Sequence, residues 1–234
     1  MEAIILAGGM GTRLATRLDG VPKPMAPVAG RPFLEILLSQ LRRAGCTRAI
    51  LSVGHLHEVI ENHFGANFRG IRIDYAVEHT PLGTGGAIRN AVRQATEQTI
   101  LVLNGDTFLD ADYAAMLHFH EQQTSPLTIA ITRCANVARY GGVVIGGTSE
   151  GIFVTGFEEK GRSGAGWINA GAYAFDTNFV WPKLPEKFSF ETDFLAPEIA
   201  ALAPAAYPVD RFFLDIGIPE DLDRAQTELA KFAS

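Results

Sequence analysis

The sequence is short of cysteine, of positive charge and of long apolar runs, and each shortage excludes a class of protein. Its two cysteines, Cys46 and Cys134, do not have the spacing of metal ligands, which predicts reduced thiols in a cytoplasmic protein. No segment approaches the roughly 20 consecutive apolar residues that cross a bilayer, and the start at Met1 lacks the basic region of a secretion signal. The formal net charge of −6 argues against nucleic acid or an anionic membrane as a partner.

The chain does have enough apolar residues, 47% of 234, to form a sizeable core. In its first half, apolar strand patterns such as "AIILA", "RAILSV" and "IRIDYAV" alternate with amphipathic helix patterns such as "PFLEILLSQLRRAG". This alternation predicts right-handed crossovers and a parallel sheet covered on both faces. After about residue 125, short strand patterns follow one another, which indicates a mixed or antiparallel extension. We therefore predict a single α/β domain over residues 1–234, with a Rossmann-like, mixed but mostly parallel sheet flanked by helices and a smaller second-half lobe.

Ligands of open parallel sheets bind beyond the carboxyl ends of the strands, and the first strand ends in the glycine-rich stretch "LAGGMGTRL". Gly8, Gly9 and Gly11 allow the backbone to take positive φ and to approach another group closely. Successive N–H groups at the start of a helix would then form a concave site for phosphate oxygens, and Arg13 would add a guanidinium fork that matches phosphate. An ordinary tight turn between a strand and a helix is the alternative.

Two further stretches contain unusual residues. In "GVPKPMAPVAGRP", prolines on both sides of Lys23 fix the backbone around it, which suggests a positioned rather than a solvated ammonium. In "EHTPLGTGGA", Gly83, Gly85 and Gly86 would let a flat ring lie against the main chain, and Thr84 would cap the helix that follows. A surface lysine and a glycine-rich helix start without a ligand are the plain alternatives.

Two aspartates each follow an apolar strand pattern: Asp106 in "LNGD" and Asp215 in "FFLD". Two carboxylates on one sheet rim repel each other unless a cation lies between them, and Mg²⁺ takes such oxygen ligands together with substrate phosphates. Either aspartate by itself is equally well explained as a helix cap. The six histidines are interpreted as surface or partner-bonded structural residues, since His118 and His120 do not share a helix face. The acidic residues around Asp221 are interpreted as part of a helix start.

The motifs "LAGGMGTRL", "PKPM", "PLGTGGA", "NGD", "FEEK", "INAG" and "DIG" follow in this order along the whole chain. In this order and spacing the sequence resembles the sugar-1-phosphate nucleotidyltransferases. Within that family, "PKPMAPV", "LNGDTF", "RYGGV", "FSFE" and "DIGIPED" are most similar to the D-glycero-α-D-manno-heptose 1-phosphate guanylyltransferases. The resemblance implies a nucleotide-binding half at about residues 1–125 and a sugar-phosphate-binding half, with the closing helices, at about residues 126–234. One difference is "ATRLDGV" after the glycine turn, where many family members have a Pro-Leu-Thr stretch.

The resemblance also implies roles for individual residues. The triphosphate would be held by Gly8, Gly9, Gly11, Thr12 and Arg13, and Leu6 and Ala7 would also belong to the nucleotide-binding residues. The base and ribose would meet Glu78, Gly83, Thr84, Gly85 and Gly86. The sugar phosphate would be contacted by Gly141 or Gly142, Glu159, Lys160 and Asn169. The metal ligands, for Mg²⁺, would be Asp106 and Asp215, and the catalytic residues would be Arg13, Lys23 and Asp106.

The implied reaction is direct attack by a sugar 1-phosphate on the α-phosphorus of a nucleoside triphosphate, with pyrophosphate as the leaving group. The attacking phosphate is already ionised near neutral pH, so no general base is required. A carboxylate at Glu78 can accept from the N1–H and the exocyclic amine of guanine, which favours GTP, and the closer resemblance favours a heptose 1-phosphate. A UTP-dependent uridylyltransferase acting on N-acetylmuramate 1-phosphate or another hexose 1-phosphate is the nearest alternative.

Two rival functions belong to other classes. A DxD-type glycosyltransferase, suggested by "DAD" at Asp110–Asp112, would not need the glycine turn together with a fixed Lys23. An inactive nucleotide-sensing module would be expected to lose Arg13, Lys23 or one of the two aspartates, and all four are present. The two substrates are the only partners predicted, and the sequence leaves open whether the protein is a monomer or a homodimer.

Overall fold

The computed structural model describes residues 1–9, 11–14, 17–18, 20–148, 151–161 and 163–232, without the side chains of Thr12 and Thr148. The α-helices in this part of the chain are α1 (Phe33–Arg43), α2 (His57–Phe64), α3 (Gly83–Val92), α4 (Tyr113–Glu121), α5 (Ala196–Leu202) and α6 (Pro219–Glu228). The strands are β1 (Glu2–Leu6), β2 (Pro27–Val28), β3 (Arg31–Pro32), β4 (Arg48–Val53), β5 (Asn67–Phe68), β6 (Ile71–Val77), β7 (Thr99–Asn104), β8 (Thr107–Leu109), β9 (Leu127–Cys134), β10 (Val143–Thr148), β11 (Gly151–Phe157), β12 (Gly166–Asp176), β13 (Ala205–Pro208) and β14 (Phe213–Asp215). Short 3₁₀ turns occur at Thr12–Leu14, Lys23–Met25, Val137–Arg139 and Ala230–Phe232, and a π-helical turn at Phe190–Leu195. In the described ranges, no helix has the length and apolar character needed to cross a membrane.

A ten-stranded sheet with the order β10-β11-β13-β9-β12-β7-β1-β4-β6-β5 forms the centre of the fold. Strands β7, β1, β4 and β6 are parallel neighbours, as the alternation of strand and helix patterns predicted. Their apolar residues face both sides of the sheet because helices cover both faces. Ile5 and Leu51 pack in the cluster that contains α1, whereas Ile4 and Ile50 pack in the cluster that contains α3.

The second half of the chain extends the same sheet through β12, which is antiparallel to both β7 and β9. The hairpin of β10 and β11 forms the far edge, so the predicted mixed extension is confirmed. Strand β13 was not predicted from the sequence. It is parallel to β9 and lies between β9 and β11, although a proline occupies its last position.

Strand β14 corrects one prediction. The stretch "FFLD" was expected to end a strand of the main sheet, but β14 pairs antiparallel with β8 in a separate two-stranded sheet. After β7 the chain turns at Gly105 and continues into β8, which is not part of the main sheet. Strand β14 pairs with β8 and therefore also lies outside the main sheet. Asp215 lies opposite Thr107 in this pairing, and the N–H of Ile216 donates to the carbonyl of Asp106 at 2.9 Å. The two aspartates are therefore neighbours, although the strand assignment was wrong.

Several element boundaries follow local signals. Gly45 and Gly65, which follow α1 and α2, have φ of +88° and +56°, positive values that glycine adopts without steric cost. Asp112 caps α4, because its carboxylate accepts from the N–H of Ala115 at 3.0 Å. One aspartate of the "DAD" pair therefore has a structural role, which weakens the glycosyltransferase reading.

Candidate active site

A cavity of about 810 Å³ opens beyond the carboxyl ends of β1, β4, β6 and β7. Its lining comes mainly from the segments that follow these strands and from the start of α3, and it includes Leu6, Gly8, Gly9, Lys23, Glu78, Asn104 and Asp106. This is the rim that the sequence predicted for a ligand. The volume is in the range of sites that hold small organic ligands and cofactors.

The glycine turn after β1 is shaped by close neighbours. A Cβ atom on Gly8 would lie 2.7 Å from Oε1 of Glu78, so only glycine lets that carboxylate approach the turn. Gly11 has φ of +59°, and a Cβ there would lie 3.0 Å from Cβ of Lys23. Gly9 has open space around it and lines the cavity. The backbone of the glycine turn therefore lies close to Glu78 at Gly8 and close to Lys23 at Gly11.

The predicted helix start at this turn is wrong. Directly after Gly11, the described residues form only the short 3₁₀ turn Thr12–Leu14. The first α-helix, α1, begins at Phe33, after a proline-rich segment that disfavours helix. Arg13 is exposed, and no hydrogen bond or ion pair joins it to the part of the chain that the structure describes. The Thr12 side chain, assigned to the triphosphate, lies outside the described atoms.

Lys23 is held where the sequence predicted a positioned ammonium. Pro22 precedes it with φ of −68°, and Lys23 opens a 3₁₀ turn. Its Nζ lies 2.5 Å from Oδ2 of Asp106, and its side chain is only 13% exposed. The pair joins two motifs that are far apart in sequence and places a positive charge at the cavity wall.

The glycines beside the two aspartates make their positions possible. The N–H of Gly105 donates to the carbonyl of Leu6 at 3.0 Å, and a Cβ on Gly105 would lie 2.5 Å from that oxygen. The N–H of Gly217 donates to Oδ1 of Asp215 at 2.5 Å, and a Cβ on Gly217 would lie 2.6 Å from the same oxygen. The positions of Asp106 and Asp215 thus depend on Gly105, the preceding residue, and on Gly217, two residues further on.

The electrostatics of the aspartate pair suit a cation. Burial and the negative charge of Asp106 raise the pKa of Asp215, while Lys23 and Arg139 lower it. In the described part of the chain, no group of three or more histidine, cysteine, aspartate or glutamate side chains could hold a metal ion. Two carboxylates whose remaining oxygen ligands come from substrate phosphates and water do fit Mg²⁺.

Arg139 belongs to the site, and sequence reasoning missed its role. Its Nη2 lies 3.2 Å from Oδ1 of Asp215, and its Nη1 donates to Asp221, which is buried on α6. The motif "RYGGV" contained this arginine, but only the three-dimensional structure brings it to Asp215. Asp221 has a structural role, as the sequence indicated, through ion pairs with Arg139 and Arg224.

Glu78 lies in the cavity lining with its carboxylate held on both sides. The hydroxyl of Ser52 donates to Oε1 at 3.1 Å, and the N–H of Leu82 donates to Oε2 at 3.1 Å. These two donors fix the direction of the carboxylate. Ser52, the fifth residue of the β4 strand pattern, was not predicted as a site residue because a buried strand serine carries no local signal.

Gly85 and Gly86 do not lie where a nucleobase was predicted. A Cβ on Gly85 would overlap the ring of Phe188, and a Cβ on Gly86 would lie 2.5 Å from the carbonyl of Glu186. Neither glycine is in the lining of the cavity. The flat ring that packs against Gly85 is therefore the buried side chain of Phe188 and not a nucleobase.

Gly83 and Thr84 do line the cavity, but Thr84 does not cap α3. The residue before the helix is Leu82, which gives no side-chain cap, and the Thr84 hydroxyl accepts from the N–H of Phe190 at 2.9 Å. The predicted cap is wrong because the Thr84 hydroxyl accepts from the backbone N–H of Phe190, in the second half of the chain, and not from an N–H of α3.

Three histidines lie closer to the site than the sequence indicated. His55, His57 and His79 all line the cavity, each just after the end of a parallel strand. Nδ1 of His57 lies 3.0 Å from Glu61, so this histidine has a partner as well as a place at the cavity wall. His120, in contrast, is buried with hydrogen-bond partners on both ring nitrogens, which is the expected structural role.

The residues assigned to the sugar phosphate are spread over the second half. Gly141 has φ of +82°, and a Cβ on Gly142 would overlap the carboxylate of Glu158. Glu158 and Gly142 line a second cavity of about 290 Å³. Glu159 and Lys160 are exposed and are not in that lining. The acidic side chain that faces the "RYGGV" glycines is therefore Glu158 rather than Glu159.

Asn169 lies where β12 passes the rim of the main sheet. The pairing of β12 with β9 is irregular between Asn169 and Tyr173, and Gly171 there has φ of +70°. A Cβ on Gly171 would lie 2.7 Å from Nδ2 of Asn104, which lines the 810 Å³ cavity. Nδ2 of Asn169 donates to Tyr173 Oη and to Oε1 of Glu191, each at 2.7 Å. Asn169 is thus held in one orientation, but it is in the lining of neither cavity.

A fixed ammonium and a pair of carboxylates at the rim of a parallel sheet suit the transfer of a phosphate-bearing group from a nucleotide. Comparison with known families agrees with this class of enzyme. The model of the family described as nucleotidyl transferase matches residues 2–231, and the chain belongs to that family. The prediction of a sugar-1-phosphate nucleotidyltransferase is confirmed, and so is the Rossmann-like α/β fold with a mixed sheet. The sheet is not mostly parallel, because the strands of the second half add antiparallel pairings.

Similar proteins match over nearly the whole chain. A D-glycero-alpha-D-manno-heptose 1-phosphate guanylyltransferase of Aneurinibacillus thermoaerophilus is 42% identical, over 99% of this chain and 100% of the relative. One from Campylobacter jejuni is 40% identical, over 94% of this chain and 96% of the relative. The crystal structure of HddC from Yersinia pseudotuberculosis, also solved in complex with GMP-PN, has a TM-score of 0.84 and 36% identity, over 97% of this chain and 99% of that one.

Proposed function

We propose that the protein transfers GMP from GTP to D-glycero-α-D-manno-heptose 1-phosphate and releases pyrophosphate. The observation that carries this proposal is the Lys23–Asp106 ion pair beside Asp215, at the rim where the nucleotide cavity meets the second half of the chain. The guanylyltransferases that are 42% and 40% identical support the substrates, and the GMP-PN complex of HddC supports a guanine nucleotide.

The charged residues of this chain would bring two anions together. A phosphate oxygen of the sugar 1-phosphate forms a bond to the α-phosphorus, and the bond from that phosphorus to pyrophosphate breaks. Lys23 would leave Asp106 and pair with the α-phosphate, and Arg13 with the backbone N–H groups of Gly8, Gly9 and Gly11 would hold the other phosphates. The free guanidinium of Arg13 is available for this, because the described residues do not engage it.

Asp106 and Asp215 would hold Mg²⁺. The ion, when bound, would supply positive charge that offsets the charge of the phosphates. The raised pKa of Asp215 supports this assignment. Burial is its largest cause, and a divalent cation would offset the repulsion from Asp106 that adds to it.

Glu78 would select the base. Its carboxylate can accept from both the N1–H and the exocyclic amine of guanine, and neither uracil nor cytosine presents those two donors together. Ser52 and the N–H of Leu82 hold the carboxylate in the lining of the cavity. Gly83 and Thr84, at the start of α3, would contact the base and ribose from the other wall.

The second half would bind the heptose 1-phosphate. Gly141, Gly142, Glu159, Lys160 and Asn169 remain the assigned contacts, and Glu158 is added because it faces Gly142. Lys160 is the cation of this set and would pair with the sugar phosphate. Asn169 is already oriented by its neighbours, which reduces the entropy lost on binding.

A matrix of nucleotides and sugars tests the proposal. GTP, UTP, CTP and dTTP are each combined with heptose, mannose, glucose and N-acetylmuramate 1-phosphates, and pyrophosphate release and nucleotide-sugar mass are measured. We expect the GTP and heptose pair to give the highest kcat/KM, and Asp106→Asn to lower it by about 100- to 1,000-fold with the fold retained. Highest turnover with UTP and N-acetylmuramate 1-phosphate would contradict the proposal. Near-normal turnover in Asp106→Asn would contradict the site.

A further inference from the structure

Arg139 connects two aspartates that belong to different parts of the fold. Its Nη2 donates to Oδ1 of Asp215 at 3.2 Å and to the carbonyl of Asp215 at 3.3 Å. Its Nη1 donates to Oδ2 of Asp221 on α6. Asp221 also accepts from Nη1 of Arg224 at 2.9 Å, so its buried charge has a second partner.

One oxygen of Asp215 receives all the donors that the described residues supply. The N–H of Gly217 donates to Oδ1 at 2.5 Å, and Arg139 donates to the same oxygen. No donor from the described residues reaches Oδ2. Gly217 makes this arrangement possible, because a Cβ there would lie 2.6 Å from Oδ1 and 3.3 Å from Nη2 of Arg139.

The turn that carries Arg139 is itself anchored. The N–H of Val137 donates to the carbonyl of Gly164 at 3.0 Å, and the N–H of Gly161 donates to the carbonyl of Ala138 at 2.8 Å. The guanidinium therefore extends from a backbone that is fixed on both sides. A planar fork on a fixed backbone can hold a carboxylate in one orientation.

We propose that Arg139 is a positioning residue, which holds Oδ1 of Asp215 so that Oδ2 is presented to a divalent cation. This inference rests on the proposed assignment of Asp106 and Asp215 as cation ligands. Arg139 would not touch the cation or the substrates. It acts by fixing a ligand, and partners of that kind set metal affinity because a ligand that is free to rotate binds less tightly.

Arg139→Lys and Arg224→Lys form a matched pair for the test. Both variants keep the positive charge and both leave Asp221 with one arginine, but only Arg139 contacts Asp215. A lysine has a single nitrogen and does not supply the two-nitrogen fork that spans Asp215 and Asp221. Mn²⁺ affinity is measured by electron paramagnetic resonance on the full chain without nucleotide or sugar, and circular dichroism verifies the fold.

We expect Arg139→Lys to weaken Mn²⁺ binding by about 10-fold, and Arg224→Lys to change it by less than about twofold. Gly217→Ala, which displaces Oδ1 without touching Asp221, should weaken binding in the same way and replaces Arg139→Lys if that variant does not fold. Wild-type affinity in Arg139→Lys overturns the inference, and so does an equal loss in Arg224→Lys, since the role would then be to stabilise Asp221. If wild-type protein binds no Mn²⁺ that Asp215→Asn removes, the cation site itself is absent and both proposals fall.

Discussion

Glu2 is a charged residue in the core, far from the cavity at the other end of β1. Its side chain is 4% exposed, and its carboxylate accepts from Arg48 at 2.7 Å and from the N–H of Thr96 at 2.8 Å. Burial by itself raises the pKa of Glu2. The hydrogen bonds from Thr96, Arg48 and the N–H of Glu97 outweigh burial and lower the pKa from 4.5 to about 2.

A prediction about pH follows for Glu2→Gln. Because the folded-state pKa lies below the unfolded-state pKa, the ionised Glu2 stabilises the protein above about pH 4.5 and loses this effect as pH falls towards 2. We expect Glu2→Gln to lower the free energy of unfolding by about 2–3 kcal/mol at pH 7, with kcat unchanged. Urea unfolding of both proteins at several pH values measures the difference, which should shrink below pH 4.5.

Glu228→Gln is the control for this prediction. Glu228 pairs with Arg224 on the exposed side of α6, and exposed pairs typically contribute well under about 1 kcal/mol. A stability difference for Glu2→Gln that stays constant between pH 7 and pH 3 would show that the carboxylate does not titrate as its hydrogen bonds require.

At the scale of elements, α3 depends on a segment from the second half of the chain. The N–H groups of Gly85 and Gly86 both face the carbonyl of Phe188, at 3.0 and 3.4 Å, which satisfies donors at the helix start. The ring of Phe188 is 2% exposed and lies where a Cβ on Gly85 would be. Since Gly83 and Thr84 line the cavity, this packing positions one of its walls, where we propose that the nucleotide binds.

We expect Gly85→Ala to lower the free energy of unfolding by about 1–3 kcal/mol, because the added Cβ would lie 2.1 Å from the buried ring of Phe188. The displaced start of α3 should also raise KM for the nucleotide. Chemical denaturation and steady-state kinetics measure the two effects. Gly156→Ala is the matched control, since a Cβ there would lie at an ordinary 3.8 Å from Val144.

The double variant Gly85→Ala with Phe188→Leu separates the clash from a loss of helix structure. The smaller side chain removes the ring atoms that the added methyl group would meet, so the two changes should be less than additive by about 1 kcal/mol. Additive losses would contradict the packing explanation.

The sequence predicted elements whose patterns are local and missed those decided by distant partners. Strands β4 and β6 were predicted at their observed ends because the apolar run of β4 and the alternating pattern of β6 are local signals. Strand β13 was missed, because four residues become a strand only by pairing with β9. Asp106 and Asp215 were placed together correctly, although through the wrong sheet. Arg139 was missed because nothing near it in sequence indicates a contact with Asp215.

At the scale of the whole molecule, α6 joins parts of the chain that are distant in sequence. Asp221 pairs with Arg139 of the second half, and Asp223 pairs with Arg17 near the glycine turn. Gln226 is held between two backbone groups of the segment that follows Lys23. Helix α6 therefore contacts both the segment that follows Lys23 and the turn Val137–Arg139, and it lies directly after β14, which carries Asp215.

Gln226→Ala tests whether this connection matters for catalysis. The amide of Gln226 donates to the carbonyl of Pro27 at 2.7 Å and accepts from the N–H of Ala29 at 3.1 Å, and both residues lie shortly after Lys23. Loss of two hydrogen bonds should cost about 1–2 kcal/mol and lower Tm by about 2–8 °C. Because the Lys23 segment loses an anchor, we expect kcat to fall several-fold while KM for the sugar phosphate is unchanged.

Thr227→Ala is the control for Gln226→Ala, because the hydroxyl of Thr227 bonds only to Arg224 within the same helix among the described residues. Thermal unfolding and steady-state kinetics are compared for the two variants. A fall in kcat of equal size in both would show that any weakening of α6 has this effect, and that the hydrogen bonds of Gln226 do not position Lys23. A fall confined to Gln226→Ala would show that α6 controls the position of Lys23 through these two hydrogen bonds.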